Sequence, residues 1–380
     1  MKKYEEQSYL SSAAIYRPVF QRRSISDKPG PRRESFTEQP PVVYGEDTRV
    51  FLYLPEASSV EMSYWADPEG KKYALEKDGD SGYWYRIIDA EPGFHYVDFF
   101  VDGRFYLDPL VPIGYGSHRA ANFIEVPDPD FDLDIPSDVP HGMTHLVNYA
   151  SAMTDEMRCA YVYTPPAYMS GTERYPVLYL FHGGGENEAG WLWQGKADRI
   201  LDNMIARGLC KPMIVVMDNF QAFKRENRQI TEQPIAELFR DELIPLIDRT
   251  FRTRPEADAR AIAGLSMGGL RAKEVAFALH DEIHSLGIFS SGAGFTIKGV
   301  SIWGEPYDYS DVLRSPEYYA GLFRVTMVTC GESDPRIEYT RPQVAQLQAE
   351  GYPILFHSYP GSHEWHVWRK SLVDFLKVLF

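Results

Sequence analysis

Residues 260–269 read Arg-Ala-Ile-Ala-Gly-Leu-Ser-Met-Gly-Gly. An apolar, strand-like run enters Gly264-Leu265-Ser266-Met267-Gly268, and a helix-forming run leaves it. A serine on so tight a strand-to-helix turn exposes its hydroxyl above a sheet, and the two glycines leave room where strand and helix approach. Its chemistry is attack on an acyl carbon. Serine is a weak nucleophile, so it needs a base, and the base needs a carboxylate to orient it. With a strand–turn–helix nucleophile the chain order is serine, acid, histidine. The expected strand 354–359 ends in Pro360-Gly361-Ser362-His363, which puts His363 in a loop just past the last strand, where the base belongs. His357 lies inside that strand and His366 in the following helix, so both read as packing or surface residues. Before them, strand 324–329 ends in Cys330-Gly331-Glu332-Ser333-Asp334. Asp334 is the expected acid, because a residue further along the loop can curl back over the sheet edge. Glu332 is its rival.

The tetrahedral oxyanion needs two backbone N–H donors. One is expected from Met267, the residue after the nucleophile. The second is expected from Phe181-His182-Gly183-Gly184-Gly185, which follows the unbroken apolar run 175–181. Gly184 is the proposed donor, with Gly183 and Gly185 as alternatives, and His182 reads as structural. Trp191, Phe220, Trp365 and Trp368 are candidate substrate contacts, with Trp193 and Trp303 as further aromatics that could flank a flat acyl group. His363-x-x-His366 and the scattered carboxylates match no common metal-ligand spacing, and serine chemistry needs none, so no metal or cofactor is expected.

These residues must be held by a sheet. Strand periods at 143–150, 158–164, 175–181, 213–217, 260–264, 285–289, 324–329 and 354–359 are interleaved with helix periods at 195–207, 233–250, 267–279 and 365–379. Alternation of this kind predicts the α/β-hydrolase fold, a mostly parallel sheet with helices on both faces, over 140–380. Ahead of it, short alternating strands such as 49–54, 60–65, 84–88 and 95–101, parted by Asp, Gly and Pro turns, predict a small all-β immunoglobulin-like sandwich over 41–128. Trp65 and Trp84 are expected in its core. Residues 129–139 are rich in Pro and Asp and read as a linker, and polar residues 1–40 as a poorly packed lead-in.

The 380 residues exceed one typical core, which agrees with more than one domain. A net charge of −15 argues against nucleic acid or an anionic membrane as partner and mildly disfavours a strongly anionic substrate, and the serine chemistry makes an ester, of a small molecule or an oligosaccharide, the expected ligand. Cys159, Cys210 and Cys330 are too few for a disulfide framework and are expected to be buried. No apolar leader opens the chain, so the expected location is cytoplasmic, or secreted if a signal has been trimmed.

Three segments carry a family likeness: 175–191, with its Phe-His-Gly-Gly-Gly-Glu-Asn-Glu-Ala-Gly-Trp; 241–248 leading to Ala263-Gly-Leu-Ser-Met-Gly-Gly269; and Gly361-Ser-His-Glu-Trp-His-Val-Trp-Arg369. Together they resemble the esterase D superfamily, and most closely the feruloyl and acetyl-xylan esterases of carbohydrate esterase family 1. Many relatives carry Gly-Gly-His where this chain has Gly361-Ser362-His363. Residues 54–60, 82–84, 92–96, 101–103 and 108–109 resemble the early-set sandwich of family 48 carbohydrate-binding modules. The resemblance implies Ser266, Asp334 and His363 as triad, Met267 and Gly184 as oxyanion donors, and removal of feruloyl or acetyl groups from xylan-derived oligosaccharides. An enterochelin-esterase-like trilactone hydrolase is the alternative. Arg336, Arg341 and Arg369 near the expected site form no compact basic run for an anionic siderophore.

Overall fold

The computed structural model describes residues 42–44, 47–67, 69–135, 137–221, 235–292, 298–300 and 306–380. The lead-in 1–40 and Trp303 lie outside them. The chain divides into two compact units, Met1–Asp132 and Leu133–Phe380.

In the first unit, β1 (Val42–Tyr44), β2 (Thr48–Tyr53), β6 (Tyr83–Ile87) and β5 (Glu76–Lys77) form one antiparallel sheet in the order β1-β2-β6-β5. A second runs β4 (Tyr73–Ala74), β3 (Val60–Tyr64), β7 (Gly93–Val101), β10 (Arg119–Val126), β9 (Ile113–Gly116), with β8 (Arg104–Tyr106) paired to β7. Alternate residues of a strand face opposite ways, so each sheet offers one apolar side. Val50, Leu52 and Trp84 of the first sheet meet Val60, Met62, Val97, Phe99 and Ile124 of the second in one buried cluster. Trp84 is in this core, and its indole N–H donates to Leu54 O at 3.0 Å. Trp65 is not. It is half-buried, stacked on Tyr96 with ring centroids 4.6 Å apart, and Arg119 lies over it.

The second unit is built on a mixed eight-stranded sheet, ordered β11 (Met143–Ser151), β12 (Glu156–Thr164), β14 (Ile214–Asp218), β13 (Val177–Phe181), β15 (Arg260–Leu265), β16 (Ser285–Phe289), β19 (Val325–Gly331), β20 (Ile354–Tyr359). β11, β12 and β14 pair antiparallel, and the ladders from β14 through β13 to β20 are parallel. β17 (Lys298–Val300) and β18 (Pro306–Asp308) form a separate antiparallel pair. β13, β14, β15 and β16 are buried at every position, which explains their unbroken apolar character. One face, carrying Val177, Tyr179, Phe181, Val216, Ile262 and Ile288, packs with Leu238, Phe239, Ile247, Val275, Tyr319 and Val344 from the helical stretches of the sequence between and beyond the strands. Phe289 points the other way, onto Trp191 and Phe375. Helices therefore cover both faces.

Among the described residues the α-helices are α1 (Gly190–Trp193), α2 (Ala197–Ala206), α3 (Ile235–Leu238), α4 (Ile244–Thr250), α5 (Met267–Ala278), α6 (Pro316–Leu322), α7 (Ile337–Ala349) and α8 (Trp365–Val378). Between α3 and α4, Phe239–Leu243 winds as a π-helix, so the expected single helix 233–250 carries a wide turn. Helix α7 was not expected. Its interior proline, Pro342, and its few buried positions, Ile337, Thr340, Val344 and Leu347, mask the helical period.

The cysteines depart from expectation in two of three cases. Cys330 is buried, but Cys159 and Cys210 are half-buried, and the Cys159 thiol donates to Glu188 Oε1 at 3.2 Å. Leu133, Asp134 and Ile135, within the expected linker, are buried in the second unit. The Asn203 amide on α2 donates to Leu133 O and Ile135 O, and Arg369 on α8 donates to Asp134 Oδ2 at 2.7 Å.

Candidate active site

Ser266 joins β15 to α5 with φ 51° and ψ −123°, a conformation that L-residues rarely hold. The glycines around it are needed for space. A Cβ on Gly264 would lie 2.3 Å from Gly268 O, and one on Gly268 would lie 2.1 Å from His182 O. The turn is also held from the next strand: Ser266 N donates to Phe289 O at 2.8 Å, and the Ser291 hydroxyl donates to Ser266 O.

The structure brings Ser266, His363 and Asp334 into one line. Ser266 Oγ is 2.9 Å from His363 Nε2, and His363 Nδ1 is 2.7 Å from Asp334 Oδ2. With Nδ1 donating to the carboxylate, Nε2 presents its lone pair to the hydroxyl. Asp334 has no exposed surface, and its other oxygen accepts from the Arg336 backbone N–H at 3.0 Å and guanidinium at 3.1 Å. Burial alone would raise its pKa. The His363 hydrogen bond, the Arg336 N–H and the charges beside it outweigh burial together, and hold the carboxyl below the usual carboxylate range. Glu332 is exposed and turned to Ser358. The His363 loop packs against Gly331, where a Cβ would lie 2.4 Å from Ser362 O, and the Ser362 hydroxyl donates to Ser333 O at 3.2 Å. His357 binds Asp374 and His366 faces Glu364, both apart from the Ser266 line.

The Gly183–Gly185 loop reaches the elbow. A Cβ on Gly184 would lie 2.3 Å from Met267 Sδ, so Gly184 lies against the Met267 side chain. The Gly183 N–H is already taken by Glu186 Oε2 at 2.9 Å, which removes that alternative. His182 is buried with Nδ1 donating to Gly183 O at 2.8 Å, and burial pushes its pKa down to about 4, leaving a neutral structural ring.

The four aromatic substrate contacts need correction. Trp191, Phe220 and Trp365 are each 1% exposed and Trp368 is 5% exposed. Trp191 donates to Phe181 O, and Phe220 packs on Phe181 and His182. Trp365 and Trp368 meet edge-on, and Trp368 meets the His363 ring edge-on at 5.0 Å. Protein covers their faces, so they wall the site instead of offering a stacking platform. Glu186, which sequence reasoning passed over, is bound at both oxygens: Oε2 by Gly183 N and Oε1 by Trp365 Nε1 at 3.0 Å. Its place inside Gly-Gly-Gly-Glu, directly after the donor loop, was the available signal. Among the described residues no cluster of His, Cys, Asp or Glu is placed to hold a metal ion.

A hydroxyl on a strained turn, a histidine within reach of it, an oriented carboxylate and a glycine loop beside Met267 form an arrangement that can transfer an acyl group. Comparison with known proteins agrees in kind. The model of the family described as "Putative esterase" matches residues 150–379. In an alignment of 367 positions that covers 93% of the chain, it is 33% identical to an endo-1,4-beta-xylanase/feruloyl esterase of Xylanibacter ruminicola, of which it spans 47%. Two solved structures share the fold. A ferulic acid esterase of carbohydrate esterase family 1 from Anaeromyces mucronatus, in complex with ferulic acid, superposes with TM-score 0.55 at 20% identity, over 67% of this chain and 96% of that one. The enterobactin esterase of Shigella flexneri superposes with TM-score 0.65 at 15% identity, over 93% of this chain and 98% of that one.

Proposed function

We propose, from the premise that this chain belongs to the Esterase family of carboxylic ester hydrolases, that Ser266, His363 and Asp334 hydrolyse the ester through an acyl-enzyme. His363 Nε2 takes the Ser266 proton as Oγ attacks the carbonyl carbon. The N–H groups of Met267 and Gly184 receive the oxyanion, and Asp334 holds the imidazolium. His363 then protonates the departing alcohol. In the second half it deprotonates water, which attacks the acyl carbon, releases the acid and returns the proton to Ser266. The observation that carries this reading is the unbroken hydrogen-bond line from Ser266 through His363 to Asp334. Ser266→Ala should lower kcat by about four to six orders of magnitude while leaving the melting temperature near wild type. More than about one percent residual activity in a folded variant would place the nucleophile elsewhere.

For the substrate, we infer feruloyl or acetyl esters of xylan-derived oligosaccharides. The support is the 33% identity, over nearly the whole chain, to a relative named for xylanase and feruloyl esterase activities, although this chain spans about half of that protein. In the same reading the first unit is an early-set, immunoglobulin-like sandwich of the carbohydrate-binding-module kind. The second reading is hydrolysis of a siderophore trilactone, favoured by the coverage of the enterobactin esterase structure. Charge weighs against it. Arg369 is buried against Asp134 and Gln194 and cannot meet an anionic ferric catecholate without breaking an internal pair, and Arg336 is already partly neutralised by Asp334. The ratio of kcat/KM for methyl ferulate and acetylated xylo-oligosaccharide to that for ferric enterobactin decides. A ratio below one for both moves the substrate to the siderophore and leaves the triad reading intact.

A further inference from the structure

We propose that Glu186 is a positioning residue for ester hydrolysis: its carboxylate ties the oxyanion loop to the helix that follows His363, and so sets the Gly184 N–H against the substrate carbonyl oxygen. The inference rests on the reading of Ser266, Met267 and Gly184 above. The loop in question is three consecutive glycines, and Gly185 sits at φ 74°. Glycine backbone is permissive, and the segment has no side chains of its own to anchor it. An oxyanion donor nevertheless has to be held in place before the reaction, or the reaction must supply the reorganisation.

Glu186 supplies an anchor from one residue beyond the loop. Oε2 accepts from Gly183 N at 2.9 Å, next to the proposed donor, and Oε1 accepts from Trp365 Nε1 at 3.0 Å, 179 residues away in sequence. Trp365 is rigidly placed. It is 1% exposed and meets Trp191 edge-on at 5.3 Å and Trp368 edge-on at 5.1 Å. Trp368 in turn walls the His363 ring. One carboxylate thus joins the oxyanion side of the site to the base side. Two N–H donors converge on it, and an ionised carboxylate is the side chain that accepts both. A glutamine of the same shape has one acceptor oxygen, and its NH₂ would face an N–H. Burial pushes the Glu186 carboxyl up to about 8, against the pull of both donors, so the arrangement is held at a cost in solvation.

The test uses the full chain, 4-nitrophenyl acetate as substrate and a phenylboronic acid as tetrahedral analogue on Ser266. Above about pH 8, where the Glu186 carboxyl is ionised, Glu186→Gln should lower kcat about 10- to 100-fold with KM within about threefold, and weaken boronate binding in parallel, as expected when an oxyanion donor is loosened. Trp365→Phe, which removes the indole N–H and keeps an aromatic ring, should lower kcat less. Combined with Glu186→Gln it should add no further loss, because both changes break one link. Wild-type kcat in Glu186→Gln, a loss carried by KM alone, or additive losses in the double variant would each overturn the proposal. Should Glu186→Gln not fold, Trp365→Phe alone decides, since unchanged kcat and boronate affinity there would overturn it. Ser266→Ala separates the two levels. If it stays active the whole site reading fails. If it is inactive while Glu186→Gln is unaffected, the role of Glu186 alone fails.

Discussion

Asp334 and Glu332 stand two residues apart on one loop and face opposite ways. Asp334 is fully buried with Oδ2 2.7 Å from His363 Nδ1, whereas Glu332 is exposed and its Oε1 accepts from the Ser358 hydroxyl at 3.2 Å. Asp334→Asn should therefore lower kcat by about 10⁴, because an amide that donates to Nδ1 favours the wrong imidazole tautomer. Glu332→Gln should change kcat by less than about threefold, as expected of a surface residue outside the triad. Steady-state kinetics on one small ester, with both proteins shown to melt normally, makes the comparison. The reverse order would reassign the acid.

The glycines at the elbow should separate by what their Cβ atoms meet. At Gly268 the obstacle is the His182 carbonyl, part of a buried backbone, whereas at Gly184 it is the Met267 side chain. Gly268→Ala should cost stability and activity together, on the order of 1–3 kcal/mol in unfolding by overpacking. Gly184→Ala should leave stability nearly unchanged, since the methionine can swing aside, and lower kcat. Denaturant titration alongside kinetics reads both.

Asp134 is the buried counterion of Arg369, with Lys196 Nζ 3.6 Å away on the same oxygen. Asp134→Ala leaves the guanidinium buried without its carboxylate, which typically costs about 3–5 kcal/mol. In a unit of this size that amounts to a fall in melting temperature on the order of 10 °C. Scanning calorimetry measures it. An unchanged melting temperature would mean that Arg369 is held without the Asp134 carboxylate.

Glu186 gives a pH signature with a definite sign. Burial pushes its carboxyl from the ordinary 4.5 of a glutamate up to about 8, and the groups that bind it, the Gly183 N–H and the Trp365 indole, are uncharged. Between those values the folded state keeps a proton that the unfolded state has lost, so stability falls as pH rises through that window. Glu186→Gln removes this slope, and the melting temperature of the variant relative to wild type should climb from pH 4.5 towards 8. Over the upper part of the window the wild-type kcat should gain a rising limb, as the ionised carboxylate comes to accept both donors, and the variant should lack it. Parallel melting curves for the two proteins would refute the assignment.

Local pattern carried far in this chain. The strand–turn–helix around Ser266, and the loops holding Asp334 and His363, are legible because each depends on a short run of residues at a strand end. What failed depended on distant partners. An apolar residue near a catalytic loop does not tell which way its ring points, so Trp191, Phe220, Trp365 and Trp368 read as substrate contacts although all four are buried. Glu186 is marked in the sequence only by its place after the glycines, and its second donor, 179 residues away, is not. Helix α7 was hidden by Pro342, and the π-turn at Phe239–Leu243 by a helical period that continues on both sides of it. The expected linker looked loose because Pro and Asp are typical of linkers, whereas Asp134 is a counterion whose arginine sits 235 residues downstream.

That separation bears on how the protein is made. Synthesis runs from Asp134 towards Arg369, so the carboxylate leaves the ribosome long before the guanidinium that neutralises it exists. Until residue 369 has emerged, Asp134 has Lys196 but lacks its arginine, the loop after β13 lacks the Trp365 indole, and Ser266 lacks its proposed base. These three closures wait for the same stretch, Gly361–Arg369. On the proposed mechanism the emerging chain therefore has no base for Ser266, and its unsealed parallel strands are open to aggregation, until that stretch arrives.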